Sequence, residues 1–276
     1  MWVVGFLIAL SPLRWTMKVL HSRVILIAVI LSLTFAAMVW ALRAATSAAA
    51  IFGAAICFLI VAATRGLDQS LIQSGLTPLA ALFILTFVAT RTGRSKKRKA
   101  GLAESQQGRA ASQIVANIGY AGLIASVLLG DHFGGIAPRY WNHVGFDGYF
   151  LPMLIVAALS EATADTVSSE IGQAYGGTPI MLTTLRRAPV GTDGGISLLG
   201  TAAGVFGAIL VTLAGAWALN LRREQTTASL VGGIAGLIFD SLLGATVEKK
   251  GWLGNDLVNF SSTIFAGFVA CAYLLL

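Results

Sequence analysis

Long apolar runs recur along this chain, and they constrain its fold more than any other feature. Each run approaches the roughly 20 residues that a helix needs to cross the hydrocarbon layer of a membrane. Continuous runs of this kind predict spanning helices, whereas a transmembrane barrel would show short strands of alternating polarity. We place about eight spans, at 24–42, 47–63, 76–90, 112–129, 149–171, 196–219, 229–247 and 259–275.

The composition supports the same fold class. Charged residues make up 11% of the 276 residues, and hydrophobic residues make up 56%. Soluble domains carry about 25% charged residues, so an ordinary soluble globular protein is excluded. The chain contains 31 glycines, many of them inside the apolar runs, which favours close approach of helix backbones. We therefore predict an all-α fold, a polytopic transmembrane helical bundle with Gly/Ala-rich helix packing.

We divide the chain into two parts. Residues 1–45 form an N-terminal apolar segment and the first span, and residues 46–276 form a single integral membrane domain with a basic loop at 91–109. The apolar stretch 1–13 is short for a span. It fits an interfacial piece, a re-entrant piece or a weak span equally well.

The basic residues predict an orientation in the membrane. Seven of the 19 Lys and Arg residues lie in 91–109, RTGRSKKRKAGLAESQQGR, which is typical of a cytoplasmic loop and not of a nucleic-acid arm. If 91–109 is cytoplasmic and each span crosses the membrane once, 12 of the 19 Lys and Arg residues lie on the cytoplasmic side. Three residues disagree with the scheme: Arg14, Lys18 and Arg23. We expect a bacterial plasma membrane protein whose site faces the cytoplasm.

The most unusual apolar run is 157–172, AALSEATADTVSSEIG, because it carries Glu161, Asp165 and Glu170. A carboxylate at the centre of a membrane costs about 2.5–3.5 kcal/mol on insertion scales, so such residues are usually functional. Glu161 and Asp165 share a helical face, and Glu170 lies roughly 140° further around the helix. We therefore interpret this segment as part of a site.

Acidic residues of neighbouring spans suggest a metal. Asp240 lies towards the end of another apolar run, 229–247. Mg²⁺ is usually bound by one or two carboxylates together with substrate phosphates. We predict Asp165, Glu170 and Asp240 as Mg²⁺ ligands, directly or through water. The alternative is a structural network in which the acids bond to Ser and Thr or pair with an Arg. Glu161 lies a turn deeper, where we expect it to support the other acids or to pack helices.

A glycine-rich loop, PVGTDGGISLLGT, precedes one span. Free N–H groups at a helix start bind anions such as phosphate, which makes Thr192, Gly194, Gly195 and Ser197 candidate ligands. It matches neither established glycine-rich phosphate fingerprint. The alternative is a flexible turn with Thr192 or Asp193 as the helix N-cap.

Three arginines are candidate phosphate ligands. Arg109 precedes a span that begins with polar residues, and Arg186 with Arg187 precede the glycine-rich loop. Arginine forms bidentate hydrogen bonds with phosphate oxygens. The alternative for Arg186 and Arg187 is that they only mark the cytoplasmic side of the membrane.

Five blocks of sequence, in this order, carry a family resemblance: GRAASQIVANIGYAGLIA, EATADTVSSEIG, TTLRRAPVGTDGGISLLGT, GLIFDSLLGATVE and NDLVNFSST. Over about 47–276 the chain resembles the integral membrane family called domain of unknown function 92. That family includes transmembrane protein 19 and the plant and cyanobacterial phytyl-phosphate kinases. The chain departs from the family pattern at Val167, where an aromatic residue is common.

The resemblance implies a Mg²⁺-dependent transfer of a phosphoryl group from CTP to an isoprenoid monophosphate. It would make the partners an isoprenoid phosphate or other membrane lipid and a nucleotide, with no nucleic acid. We assign catalysis to Asn117, Asp165 and Asp240. The residues assigned to substrate and phosphate are Arg109, Arg186, Arg187, Thr192, Gly194, Gly195, Ser197, Asn255 and Asn259. Ser169, Glu170, Gly172 and Ser241 complete the positions that match the family's motifs.

Two other functions compete with the kinase. In a proton- or cation-coupled transporter or flippase, the same acids would carry protons or cations. The gathering of polar residues at one face and the lack of an internal repeat argue against that interpretation. A membrane scaffold without enzymatic activity would tolerate single substitutions of its polar residues. The sequence leaves oligomeric state and chain length of the substrate open.

Overall fold

The computed structural model describes residues 12–65, 70–103, 105, 107–132 and 150–276, and it describes side chains within these ranges except for 12–22, 131 and 132. Most of the N-terminal apolar segment 1–13 and the loop at 133–149 therefore lie outside the described residues.

Within these ranges the chain is almost entirely helical. Its α-helices are α1 (Pro12–Ala41), α2 (Ser47–Thr64), α3 (Leu76–Arg91), α4 (Arg94–Lys99), α5 (Ala111–His132), α6 (Phe150–Tyr175), α7 (Leu198–Leu219), α8 (Arg223–Leu243) and α9 (Asn255–Leu275). Strands β1 (Ile180–Met181) and β2 (Gly195–Ile196) pair antiparallel between α6 and α7. A π-helical turn, Gly244–Glu248, follows α8 directly.

The predicted fold class is confirmed. Seven of the described helices are long and apolar enough to cross a membrane, and α3 is a shorter apolar helix at the position of the remaining predicted span. One predicted boundary moved, because Gly195 and Ile196 pair with β1 and α7 starts only at Leu198. Another span starts earlier than expected, since α9 already begins at Asn255.

Helix α6 is the centre of the bundle. In its apolar stretch 94% of the residues are buried, whereas the share is 22–44% in the corresponding stretches of the other six long helices. It packs against α3, α5, α7, α8 and α9. The acids of α6 are consequently surrounded by protein and not by lipid, which removes most of the cost of placing a carboxylate at membrane depth.

Glycines bring α7 unusually close to α6. A Cβ atom on Gly200 would lie 2.6 Å from the Ser168 carbonyl oxygen, and one on Gly204 would lie 2.5 Å from the Ala164 carbonyl oxygen. No larger residue fits without moving one of the helices. Small residues at a helix interface allow this backbone approach in membranes, as the glycine content of the span predicted.

Four connections meet at one end of the bundle, which we call the loop end: 42–46, 92–110, 176–197 and 244–254. They are joined by backbone hydrogen bonds and by close contacts at glycines. The Thr46 N–H donates to the Arg109 carbonyl at 3.0 Å. The other junctions pair Arg109 with Ala44, Gly191 with Leu102, and Gly194 with Ala245. The loop end therefore forms one continuous surface.

Candidate active site

A polar cavity of about 330 Å³ lies at the loop end, between α5, α6, α8 and the starts of α7 and α9. It brings together 11 of the 13 residues that the sequence nominated for the site. These are Arg109, Asn117, Asp165, Glu170, Thr192, Gly194, Gly195, Ser197, Asp240, Asn255 and Asn259. Residues separated by up to 150 positions thus line one space, although their roles there stay predictions.

Two carboxyl groups face each other in this cavity. Asp165 projects from the buried helix α6 and lies within hydrogen-bonding range of Asp240 on α8 and of Ser169 on its own helix. Arg109 is close enough to act on Asp165 electrostatically. The Ser262 hydroxyl donates to Asp240 Oδ2 at 3.2 Å and orients that carboxyl group. Paired acids beside a cation can hold a divalent ion or a shared proton.

The acid pair matches what Mg²⁺ needs at a phosphate site. Mg²⁺ is usually held by one or two carboxylates plus substrate phosphate oxygens, and Asp165 with Asp240 provides that number. Among the described residues no group of three or more His, Cys, Asp or Glu side chains converges as a complete metal site. Mg²⁺ on this pair would complete its coordination with other oxygen atoms, such as those of water and phosphate.

Glu170 differs from its predicted role, although it lines the cavity. Its carboxylate forms an ion pair with Lys97 Nζ and accepts a hydrogen bond of 3.1 Å from the Thr90 hydroxyl. Lys97 is only 1% exposed and also donates to the Thr90 and Ala89 carbonyls, at 2.9 and 3.3 Å. These contacts resemble the alternative raised from the sequence, a network in which the acids bond to Ser and Thr or pair with an Arg, except that the cation is Lys97.

The start of α7 points at the cavity. Its N-cap is Ser197, whose hydroxyl accepts a 3.1 Å hydrogen bond from the Gly200 N–H. The alternative of Thr192 or Asp193 as N-cap is therefore wrong, because β2 separates both from the helix; the Thr192 hydroxyl donates to Pro189 O at 2.8 Å instead. The positive end of the helix dipole favours an anion near this N-cap.

Gly194 fixes how the glycine-rich loop sits beside α8. Its φ of +72° is strained for residues with side chains, and a Cβ atom there would collide with the backbone of Ala245. The loop therefore packs directly on the π-helical turn after α8. Such turns occur frequently at functional sites. This contact holds the loop against the helix that carries Asp240.

Arg186 and Arg187 do not line the cavity, contrary to the prediction. Both are exposed on the surface of the loop end. The chain turns back on itself there, because the Met181 N–H donates to the Arg186 carbonyl at 2.9 Å and the Ala188 N–H donates to Pro179 O at 2.9 Å. Among the described arginines, Arg109 is the one that lines the cavity.

Two asparagines join α5 to α9 at the cavity wall. Asn259 Nδ2 donates to Asn117 Oδ1 at 3.0 Å, and Asn117 is 9% exposed. Asn255 begins α9 one turn earlier and also lines the cavity. The amide pair fixes the position of both side chains, and each retains groups that can bond a substrate.

Below the acid pair lies Glu161, which is 1% exposed. Its Cγ atom packs where α8 has Gly236, and its carboxyl group is within hydrogen-bonding range of Ser262. In the part of the chain that the structure describes, its Oε1 atom has no hydrogen-bond partner. Glu161 does not line the cavity, and the supporting role expected from the sequence stays a prediction.

The sequence analysis missed two contributors. Glu248 lines the cavity from the π-helical turn, and its signal was an acid eight residues after Asp240 at the end of the same apolar segment. Lys97 forms an ion pair with Glu170, but nothing in the run RSKKRK distinguishes this lysine from its neighbours. Only the packing of α4 identifies it.

Comparison with known proteins agrees with the membrane fold. The chain is 29% identical to Protein VTE6, chloroplastic, from Arabidopsis thaliana, over 72% of this chain and 58% of that protein. The chain thus spans less than two thirds of that relative. It is 34% identical to the Uncharacterized membrane protein MJ0933 of Methanocaldococcus jannaschii, over 69% of this chain and 72% of that one.

A third relative is the Uncharacterized membrane protein sll0875 of Synechocystis, 29% identical over 71% of this chain and 72% of that protein. No solved structure matches the chain. The family model for Integral membrane protein DUF92 matches residues 30–267, so its match starts within α1. Because that match covers most of the sequence, the chain belongs to the integral membrane protein DUF92 family.

Proposed function

We propose that this protein is a kinase that phosphorylates an isoprenyl monophosphate, phytyl-like in its tail, at the expense of CTP. The observation that carries the proposal is the composition of one cavity. Asp165 and Asp240 face each other there, beside Arg109 and the start of α7. Phosphoryl transfer requires acids that hold a metal ion, and it requires a cation or a helix N-terminus that binds phosphates. The family resemblance implies the same reaction.

The reaction moves one phosphoryl group. An oxygen of the isoprenyl monophosphate forms a bond to the γ-phosphorus of CTP, while the bond from that phosphorus to the β,γ-bridging oxygen breaks. The products are the isoprenyl diphosphate and CDP. Little covalent chemistry is left to the protein, since such reactions are catalysed mainly by positioning and charge stabilisation.

Each part of the cavity takes a role on this proposal. Asp165 and Asp240 would hold Mg²⁺, which when bound neutralises charge on the phosphate oxygens. Arg109 and the start of α7 would bind phosphate oxygens. Asn117, held by its partner on α9, would orient the monophosphate.

We place the site at the cytoplasmic face of the membrane. In a bacterium this would be the plasma membrane. The loop end together with Arg91, the last residue of α3, carries 12 of the 19 basic residues, which favours the cytoplasmic side. CTP and Mg²⁺ are supplied from the cytoplasm. The isoprenoid tail of the substrate would remain in the bilayer.

The experiment is an assay of the purified protein in nanodiscs with Mg²⁺. CTP and ATP are each offered with isopentenyl, geranyl, farnesyl and phytyl phosphates and with the corresponding alcohols. We expect a diphosphate and one equivalent of CDP from a monophosphate and CTP. No phosphoryl transfer from either nucleotide to any acceptor would overturn the proposal.

A second candidate function is a proton-coupled lipid transporter. The observation that favours it is Glu161, a buried acid that extends the acid pair further into α6. Transport would depend on a proton gradient across proteoliposomes and would need no CTP. Phosphoryl transfer that continues after a protonophore abolishes the gradient would exclude transport as the source of activity.

A further inference from the structure

We propose that the isoprenoid tail of the substrate binds in a second, apolar groove that adjoins the polar cavity. The inference rests on the proposed function, because it supplies that site with its lipid-binding half. The groove lies between α1, α2, α3 and α5 and has a volume of about 90 Å³.

The interior of the groove suits a hydrocarbon chain. Its walls are aromatic and aliphatic side chains, and its floor is made of small residues of α2. The apolar side chains that line it are Phe35, Val39, Leu79, Leu82, Phe83, Phe87, Ile114 and Ile118. Branched isoprenoid carbons pack well against such surfaces, and each buried methylene group adds to affinity.

The groove and the cavity share two residues. Arg109 and Asn117 line both spaces, so they stand at the border between them. A molecule with a phosphate in the cavity and a tail in the groove would pass this border at its first carbon atoms. The position of the shared residues therefore defines where an anionic head group would end and an apolar tail would begin.

The rim of the groove is cationic. Arg43, Arg91 and Arg94, which lie at or next to the loop end, line the groove together with Arg109. Arg91 is held there, since it donates to the Leu42 carbonyl at 2.8 Å and lies 4.6 Å from the centre of the Phe87 ring. An apolar interior with a positive rim selects an anionic amphiphile over a neutral lipid.

Gly53 provides a way to fill the groove. A Cβ atom at Gly53 would have Ile114 Cγ2 as its nearest neighbour, at 3.9 Å, so there is room for a small side chain. A leucine at this position would extend into the space that we assign to the tail. The matched control is Ala48 on the same helix, which is exposed and does not line the groove.

The experiment compares Gly53→Leu with Ala48→Leu, and Leu82→Trp fills the same groove from α3. For both groove variants we expect kcat/KM for farnesyl phosphate to fall about tenfold or more, since the tail loses several buried methylene groups. We expect kcat/KM for isopentenyl phosphate, whose short tail ends near the border with the cavity, to fall by less than about twofold. Ala48→Leu should leave both substrates unchanged. Melting temperatures in detergent identify any variant that is merely unstable.

A binding experiment separates this inference from the proposed kinase activity. A benzophenone-tagged farnesyl phosphate is cross-linked to the wild-type protein in nanodiscs without nucleotide, and the labelled peptides are identified. Labels in α2 and α3 that farnesyl phosphate competes away support the groove even if no diphosphate is ever formed. Labels confined to helices that do not line the groove, or groove variants that affect both substrates equally, would overturn it while leaving the kinase proposal standing.

Discussion

Arg109 and the pair Arg186–Arg187 differ in how their chain segments are held. Backbone hydrogen bonds to Ala44 and Thr46 fix Arg109 at the edge of the cavity. The hairpin before α7 instead leaves Arg186 and Arg187 exposed on the surface. The same side-chain chemistry therefore has two different environments, and only Arg109 lines the cavity.

The first prediction concerns this difference. Arg109→Gln should raise the KM for CTP or for the isoprenyl phosphate by about tenfold or more, because a hydrogen bond to a charged group contributes about 1.5–3 kcal/mol. Arg186→Gln should change either KM less than about twofold, as expected for an exposed charge. Steady-state kinetics with both substrates measures this. An equal rise in KM in both variants would contradict the assignment of Arg109 as a phosphate ligand.

The arginines also show where sequence reasoning stops at the residue scale. Asp165 and Asp240 could be nominated because a carboxylate in an apolar run needs a reason to be there. A basic residue in a loop needs no such reason, so Arg109, Arg186 and Arg187 looked equivalent. Long-range pairing of 45 with 109, and of β1 with β2, decides between them.

At the scale of elements, α4 is a helix of six residues, RSKKRK, with one buried side chain. Lys97 Nζ lies at the C-terminal carbonyls of α3, where the helix dipole favours a cation, and pairs with Glu170 of α6. A single lysine of α4 thus connects α3 and α6 beside the cavity. No rule about charge runs predicts this, because the other basic residues of α4 remain solvated.

The second prediction tests that connection. Lys97→Met should lower the free energy of unfolding by about 3 kcal/mol, because it leaves a partly buried carboxylate without its cation. Lys99→Met, on the same helix but exposed, should have little effect. Combining Lys97→Met with Glu170→Met should recover much of the loss, since it removes the uncompensated charge. Unfolding in detergent monitored by circular dichroism measures all three, and no difference between the two single variants would refute the account.

The third prediction concerns the glycine-rich loop between β1 and β2. Gly194 and Gly251 have almost the same backbone, with φ of +72° and +71°, but only Gly194 contacts another segment. An alanine at either position costs about 1–2 kcal/mol of backbone strain. Gly194→Ala additionally pushes the loop away from the π-helical turn and from Asp240.

We therefore expect Gly194→Ala to reduce kcat at least about tenfold, because a displacement of even 1 Å in a positioned site has large effects on rate. Gly251→Ala should reduce stability to a similar extent and leave kcat near the wild-type value. Turnover and melting temperature are measured for both variants. Matching losses of kcat would show that backbone strain, and not the contact with α8, is what matters at Gly194.

At the scale of the whole molecule, hydropathy predicted the architecture well. Each span was visible because a helix in lipid must be apolar over its full length, whatever its neighbours are. Which helix is central was not visible. The 26 residues of α6 are less hydropathic than those of α1, yet α6 is the buried helix, because α3, α5, α7, α8 and α9 all pack around it.

The fourth prediction is the orientation of the loop end. In a background with Cys57→Ala and Cys271→Ala, Ser95→Cys places a thiol on α4 at the loop end, and Glu224→Cys places one at the opposite end, at the start of α8. A membrane-impermeant maleimide should label Glu224→Cys in intact cells and Ser95→Cys only after permeabilisation. The reverse pattern would put the cavity outside the cytoplasm and remove its access to CTP.

The central claim is that the facing acids of α6 and α8 serve phosphoryl transfer. The most direct measurement is transfer of radiolabelled γ-phosphate from CTP to farnesyl phosphate by purified wild type, Asp165→Asn and Asp240→Asn, with Asp256→Asn, outside the cavity, as the control. We predict a fall in kcat of about a hundredfold or more for both cavity variants and a normal rate for Asp256→Asn. Wild-type rates in Asp165→Asn and Asp240→Asn would contradict the claim.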